Sequence, residues 1–132
     1  MSPDESPSAG TPAPQAADFS ALAGHDVVVV LTNAPDMLLA KRIAHILVEE
    51  QLAACVNLGQ SGLSMYMWQG ALEGADEVPI TIKTTGAQVP RMVERLLGLH
   101  PYEVPEVLVL PVVGGTRSYL DWVRAQAPGP QA

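Results

Sequence analysis

The arrangement of hydrophobic and polar positions along the chain predicts a strand followed by a helix at the start of the domain. The segment 27–31 is a continuous apolar run, which predicts a strand buried on both faces. The turn signal NAPD follows it, and Asp36 suits the positive end of a helix. Apolar residues then recur three and four positions apart, which predicts an amphipathic helix through Ala40, Ile43, Ala44, Leu47 and Val48.

The second half of the pattern predicts a hairpin, a helix, a strand and a last helix. Residues 52–72 are typical of a strand that reaches a hairpin, and Val78, Ile80 and Ile82 mark the returning strand. Pro79 lacks an N–H for the ladder, so an edge or a bulge is expected there. A helical stripe covers 88–97, with Gly98 as its expected stop, and a strand at 106–113 and a helix at 116–126 complete the chain.

This order of elements predicts an α+β protein. Strand, helix, strand, strand, helix and strand is the ferredoxin-like βαββαβ arrangement, here with an additional C-terminal helix. Its sheet is antiparallel and carries both main helices on one face. The other face would be bare and apolar, and another subunit is expected to cover it. An oligomer is therefore predicted.

The 132 residues are few enough for one domain. The first 24 residues are rich in Ser, Pro, Ala and Gly and contain no secretory signal, so residues 1–24 are interpreted as a disordered N-terminal tail. The folded domain is predicted over residues 25–126. A second disordered tail is predicted at 127–132, where the sequence is APGPQA.

Composition and charge narrow the classes of function. The net charge of −7 argues against nucleic-acid binding, which needs a basic surface. No run of about 18 apolar residues occurs, so no membrane association is expected. The single cysteine, Cys55, cannot form a disulfide within one chain, and a reducing, cytoplasmic location is the natural interpretation. No nucleophile and base can be paired, so an enzyme is not expected.

The stretch GLHPYEVPEV, residues 98–107, carries the most suggestive chemistry. Two prolines stiffen a crossover into the last long strand and hold polar side chains near it. Imidazole and carboxylate groups suit a divalent ion such as copper or zinc, which makes His100 and Glu106 candidate metal ligands. A loop histidine bonded only to backbone is the alternative interpretation.

Two further groups of residues are candidates for binding. Lys83 is expected to hold an anion or to pair with a carboxylate, and it is grouped with Tyr102, Glu103 and Cys55 as a ligand-cleft candidate. The hairpin strand places methionines on one face and aromatic side chains on the other. We predict a subunit interface formed by Met65, Tyr66, Met67 and Trp68.

Several motifs occur together in one order and resemble those of the CutA divalent-cation-tolerance family. They are TNAPD, QLAACVN, the Y-x-W-x-G of residues 66–70, EVPITIKT, HPYEVPEV and YLDW, and they cover residues 26–125. The resemblance implies a ferredoxin-like homotrimer with an architecture similar to that of the PII signalling proteins.

The same resemblance implies a copper site with one cysteine, one histidine and one glutamate. The histidine corresponds to His100 and the glutamate to Glu106, whereas Thr32 occupies the position of the cysteine. Two functions are therefore expected. One is a trimeric protein of divalent-cation response that binds copper or zinc near the HPYEVPE loop. The other is a PII-like regulatory scaffold that binds a small anion or a partner protein at the subunit clefts.

Overall fold

A computed structural model describes residues 17–130 and confirms the predicted α+β class. One antiparallel sheet and three helices form the protein. The elements are β1 (Val27–Ala34), α1 (Met37–Glu49), β2 (Cys55–Leu58), β3 (Gly62–Trp68), β4 (Ala71–Thr85), α2 (Val89–Leu99), β5 (Leu108–Pro111) and α3 (Arg117–Gln126).

The strands pair in the order β2-β4-β1-β5, and β3 pairs with the first part of β4. All of these pairings are antiparallel, which is the ferredoxin-like topology that the pattern predicts. The long strand β4 therefore belongs to two parts of the sheet. Its residues 71–77 form a hairpin with β3, and its residues 78–85 pair with β1.

Helices α1 and α2 pack side by side on one face of the sheet and bury the main core. Asp36 caps α1, because its Oδ1 accepts a hydrogen bond of 2.8 Å from the Leu39 N–H. Helix α2 continues one residue beyond Gly98, which was expected to end it. The side chains that fill this core are apolar and come mainly from Val28, Val30, Ile43, Leu47, Ile80, Ile82, Met92 and Leu96.

The strand predicted over residues 52–72 is interrupted, so it forms β2 and β3 with a break at residues 59–61. The break lies beside Pro79. The Gly59 N–H donates to the Pro79 carbonyl oxygen at 3.0 Å, just beyond the last pair of the β2 ladder, Leu58 with Ile80. Pro79 has no N–H to donate, and it lies at the position where the β2–β4 ladder has already ended. The expectation of an edge or bulge there has this structural basis.

Both predicted tails contain residues that pack against the domain. Phe19 and Leu22 contact the main core, although they lie in the segment 1–24. At the other end, Ala127 is buried, and its carbonyl oxygen accepts a hydrogen bond of 2.7 Å from the Thr85 hydroxyl. Residues 1–16 and 131–132 lie outside the described residues.

The face of the sheet opposite α1 and α2 is only partly covered. Helix α3 covers one end of it, where Val123 packs with Val27 and Ala54. Further along this face, Leu108 and Leu110 of β5 remain exposed. The prediction of a bare apolar face holds for this part of the sheet.

The β3–β4 hairpin also exposes an apolar surface. Leu63, Met65 and Met67 point to one side of it and are 66%, 61% and 64% exposed. Tyr66 and Trp68 point to the other side and are half-buried, which confirms the predicted alternation. Among residues 17–130, no helix has the length and apolar character that crossing a bilayer requires.

Candidate functional site

His100 lies immediately after α2 and links the HPYEVPE loop to the end of β1. Its Nε2 lies 2.7 Å from the Asn33 carbonyl oxygen, and its Nδ1 lies 3.2 Å from the Tyr102 backbone N–H. Because the Tyr102 N–H can only donate, Nδ1 is the acceptor and carries the lone pair. Nε2 therefore carries the proton and donates to Asn33. The last β1–β5 pair is Leu31 with Leu108. Beyond it, the His100 side chain provides the hydrogen bond to the β1 backbone, at Asn33.

The His100 ring is buried, with only 8% of the residue exposed. Burial lowers its pKa below the ordinary value of 6.5, against the opposing effects of the Asn33 carbonyl and the Glu77 carboxylate. The ring is consequently neutral near pH 7. A neutral imidazole with one nitrogen donating to a backbone carbonyl is the usual state of a metal-binding histidine.

Glu77 and Asn33 form a buried polar pair beside this loop. The Asn33 Nδ2 donates to the Glu77 Oε1 at 3.3 Å, and the two residues are 7% and 3% exposed. Burial raises the pKa of Tyr102, and the Glu77 carboxylate raises it further by its charge and by a hydrogen bond. The rings of His100 and Tyr102 contact each other edge to face, with centroids 4.8 Å apart. Four polar side chains thus meet at the root of the hairpin.

The Asn33 Oδ1 and the Thr32 Oγ1 have no hydrogen-bond partner within residues 17–130, and both atoms are fully buried. Thr32 occupies the position that the family resemblance assigns to a cysteine. Its side chain is an alcohol, so it supplies no thiolate to a soft metal ion.

The predicted cleft residues lie in two separate places. Cys55 pairs with Lys83 across β2 and β4, on the partly open face of the sheet. Both side chains contact the Asn57 Oδ1, which accepts from the Lys83 ammonium. Tyr102 lies instead beside Glu77. Lys83 is six positions further along β4 than Glu77, a distance of about 20 Å. The structure therefore does not bring Lys83 and Tyr102 of one chain together.

The two acidic residues of the loop differ in exposure. Glu103 is exposed and Glu106 is half-buried. Over residues 17–130, no group of three or more His, Cys, Asp and Glu side chains is placed to hold a metal ion. The pair His100 and Glu106 thus needs further ligands from outside this part of the chain to complete a metal site.

Asn33 and Glu77 are the site residues that the sequence pattern did not single out. They are 44 residues apart, and each belongs to a stretch that seemed to serve only a turn or a strand. Both residues lie in motifs that carry the family resemblance, TNAPD and EVPITIKT, and this was the available signal. The Glu77 carboxylate directly precedes the alternating run at Val78. Its burial became visible only when the two strands were paired.

The fold and this cluster define a class of small α+β proteins: a ferredoxin-like sheet with a protruding hairpin and a buried polar cluster at the hairpin root. Residues 28–126 match the model of the CutA1 divalent ion tolerance protein family. The chain belongs to this family.

Individual relatives agree with this assignment. The chain is 47% identical over 96 residues to the divalent-cation tolerance protein CutA of Thermus thermophilus, covering 73% of this chain and 93% of that one. The crystal structure of CutA1 from Oryza sativa is 33% identical with a TM-score of 0.76, covering 81% and 96% of the two chains. A CutA from Archaeoglobus fulgidus, described as a periplasmic divalent cation tolerance protein, is 30% identical with a TM-score of 0.73, covering 76% and 98%.

Proposed function

We propose that the chain forms a homotrimer that acts in divalent-cation tolerance by binding copper or zinc at the HPYEVPE loop. His100 and Glu106 are the proposed ligands. Membership of a family named for divalent-cation tolerance supports the cation. The protein acts by binding rather than by catalysis, because the site contains no nucleophile held by a base.

The state of the His100 ring is the observation that carries this proposal. Its Nε2–H is held by the Asn33 carbonyl, so Nδ1 is the nitrogen with the lone pair. The hydrogen bond from Tyr102 to Nδ1 is the longer of the two, at 3.2 Å, and a metal ion would replace it. The lowered pKa keeps Nδ1 free of a proton at neutral pH.

The trimer part of the proposal rests on two uncovered apolar surfaces. These are the exposed β5 residues on the partly open face and the methionine side of the hairpin. Contiguous apolar surface of this kind is typical of subunit contacts. A trimer also provides a source for the missing metal ligands, since a neighbouring subunit can approach the loop.

The first test is calorimetric titration of the full chain with Cu(II) and Zn(II). His100→Ala and Glu106→Gln should each weaken stoichiometric binding at least about tenfold. His45→Ala is the matched control, because His45 is an exposed histidine paired with Glu49 on α1. Equal binding by the wild type and the His100→Ala protein would refute the proposed ligand.

A PII-like scaffold that binds a small anion is the second candidate, and Lys83 favours it. Lys83 is half-buried on the partly open face, and within residues 17–130 its recorded polar partner is the neutral Asn57 amide rather than a carboxylate. An anionic ligand or a carboxylate of a second subunit would balance its charge. Lys83→Gln should abolish binding of phosphate or a nucleotide while leaving copper binding intact.

We propose a cytoplasmic location, because the single cysteine cannot form a disulfide within one chain and such cysteine usage is typical of a reducing compartment. Fractionation of cells that express the full chain tests this. Recovery in the periplasm, the compartment in the description of the Archaeoglobus fulgidus relative, would refute it.

A further inference from the structure

The HPYEVPE loop covers the ring nitrogen of His100 that carries the lone pair. Both ring nitrogens are occupied, since Nε2 donates to the Asn33 carbonyl oxygen at 2.7 Å and Nδ1 accepts from the Tyr102 N–H at 3.2 Å. An imidazole nitrogen has one lone pair in the plane of the ring, so Nδ1 cannot accept from Tyr102 and bind a ligand at the same time. Access to Nδ1 therefore requires the backbone at Tyr102 to move.

The Tyr102 side chain holds this backbone in place through two contacts. Its ring packs edge to face against the His100 ring, with centroids 4.8 Å apart. Its hydroxyl forms a hydrogen bond to the Glu77 carboxylate. Glu77 belongs to β4 and is only 3% exposed, so the hydroxyl attaches the loop to a fixed point of the sheet.

Glu77 is in turn bonded to the residue that holds His100. Its Oε1 accepts from the Asn33 Nδ2 at 3.3 Å, and the Asn33 backbone carbonyl accepts from His100. His100, Asn33, Glu77 and Tyr102 thus form a closed circuit in which each residue is hydrogen-bonded to the next. Loss of one bond leaves the loop attached at fewer points, and the Tyr102 hydroxyl can be removed while the backbone, the aromatic ring and the charges are retained.

We propose that Tyr102 is a latch on His100: its hydrogen bond to Glu77 keeps the loop closed over Nδ1 and thereby limits metal binding at this nitrogen. The inference rests on the function proposed above and adds what controls access to the histidine ligand. Tyr102 and Glu77 are positioning residues in this role, because they act through the loop rather than as ligands. A site whose binding-competent state is a minor one binds more weakly in proportion to the population of that state. The closed loop therefore lowers the affinity of His100 for the ion.

Tyr102→Phe removes the hydroxyl and keeps the ring beside His100. Calorimetric titration of the full chain with Zn(II) should give binding about tenfold tighter than in the wild type, which is the factor expected for one hydrogen bond to a charged group. Tyr119→Phe is the matched control, because Tyr119 is exposed on α3 and should leave the affinity unchanged. Equal or weaker binding by Tyr102→Phe, with wild-type binding that still depends on His100, would overturn the latch and leave the proposed ligand intact. Zinc binding by neither protein would refute the proposed function and with it the role of the latch in metal binding.

Modification by diethyl pyrocarbonate tests the latch without a metal ion, because the reagent acylates an unprotonated imidazole nitrogen that it can reach. Mass spectrometry of the peptides separates His100 from His25 and His45, whose side chains are 81% and 74% exposed and serve as internal references. Tyr102→Phe should raise the rate at His100 about tenfold, since this rate also follows the population of the open loop. The rates at His25 and His45 should not change. An unchanged rate at His100 would overturn the proposal.

Glu77→Gln tests whether the hydroxyl acts through the carboxylate. In this background Tyr102→Phe should raise the rate at His100 by a smaller factor, because a hydrogen bond to a neutral amide is weaker than one to a carboxylate. The same tenfold increase in both backgrounds would show that the Tyr102 hydroxyl acts at another group and would overturn its assignment to Glu77.

Discussion

His100 donates its Nε2–H to the Asn33 carbonyl oxygen at 2.7 Å, and the two residues are 67 positions apart. The bond joins the loop after α2 to the end of β1, beyond the last pair of the β1–β5 ladder. The His100 side chain thus makes a hydrogen bond to β1 where the β5 backbone no longer pairs with it. Protonation of the His100 ring is therefore expected to affect how the loop is attached to the sheet.

The stability of the protein should fall as the pH drops below His100's ordinary pKa of 6.5. The pKa of the folded state is lowered, so the folded protein resists a proton that the unfolded chain accepts. The stabilising contribution is complete above pH 6.5 and is lost progressively as the pH falls through the folded-state pKa. Thermal unfolding between pH 7.5 and 5 measures this slope.

His100→Gln should flatten that slope, because glutamine has no titrating group. His45→Gln serves as the control for the loss of a histidine, since His45 is exposed on α1 and lies outside the loop. A steep loss of Tm in His100→Gln over the same pH range would assign the effect to another residue.

Gly59→Ala should lower the free energy of unfolding by about 1–3 kcal/mol. A Cβ at Gly59 would lie 2.7 Å from the Pro79 Cγ, and the proline ring cannot move aside as a flexible side chain would. Urea unfolding at fixed protein concentration measures the change. The loss should be smaller when Pro79 is already alanine, because the clash is then absent.

Gly62→Ala is the control for that experiment. A Cβ at Gly62 meets no atom within 4 Å. If it destabilises the protein as much as Gly59→Ala does, the clash with Pro79 is not the cause.

Asp36→Ala should destabilise the protein by about 1 kcal/mol, because the α1 cap loses its acceptor for the Leu39 N–H. Asp36→Asn should keep most of this stability. Thr116→Ala should cost much less, since the Thr116 side chain makes no capping hydrogen bond at the start of α3. Chemical denaturation of the three variants provides the comparison, and an equal loss for Asp36→Ala and Thr116→Ala would contradict it.

Replacing both Met65 and Met67 by Glu should break the proposed trimer, because charged groups would have to be buried at the contact. Light scattering on a sizing column should then give the 13.9 kDa mass of one chain rather than three times that mass. Leu38→Glu is the control on α1, where Leu38 is 81% exposed. An assembly whose mass is unaffected by the double change would exclude this hairpin face from the interface.

Much of the fold was predictable because its information is local. The apolar run at β1, the stripes of α1 and α2 and the alternation along β3 each lie within a few residues. The interruption of β2 and β3 was not predictable in the same way. The break lies beside Pro79, which is 20 positions from Gly59 in the sequence and contacts it only when the strands pair.

The candidate site was predictable only in part. His100 and Tyr102 were identified because they share one short motif with two prolines. Asn33 and Glu77 were missed because their pairing is formed by β1 and β4 together and has no local pattern. The packing of Phe19 against the core was likewise not predictable, since a single aromatic residue in a polar segment forms no periodic pattern.

The strand β4 is unbroken over 15 residues, about 50 Å. It begins in the exposed hairpin, passes Glu77 and ends beneath the core helices. The direction in which the hairpin projects from the core is therefore set by one continuous piece of backbone, with Glu77 at the boundary between its two parts.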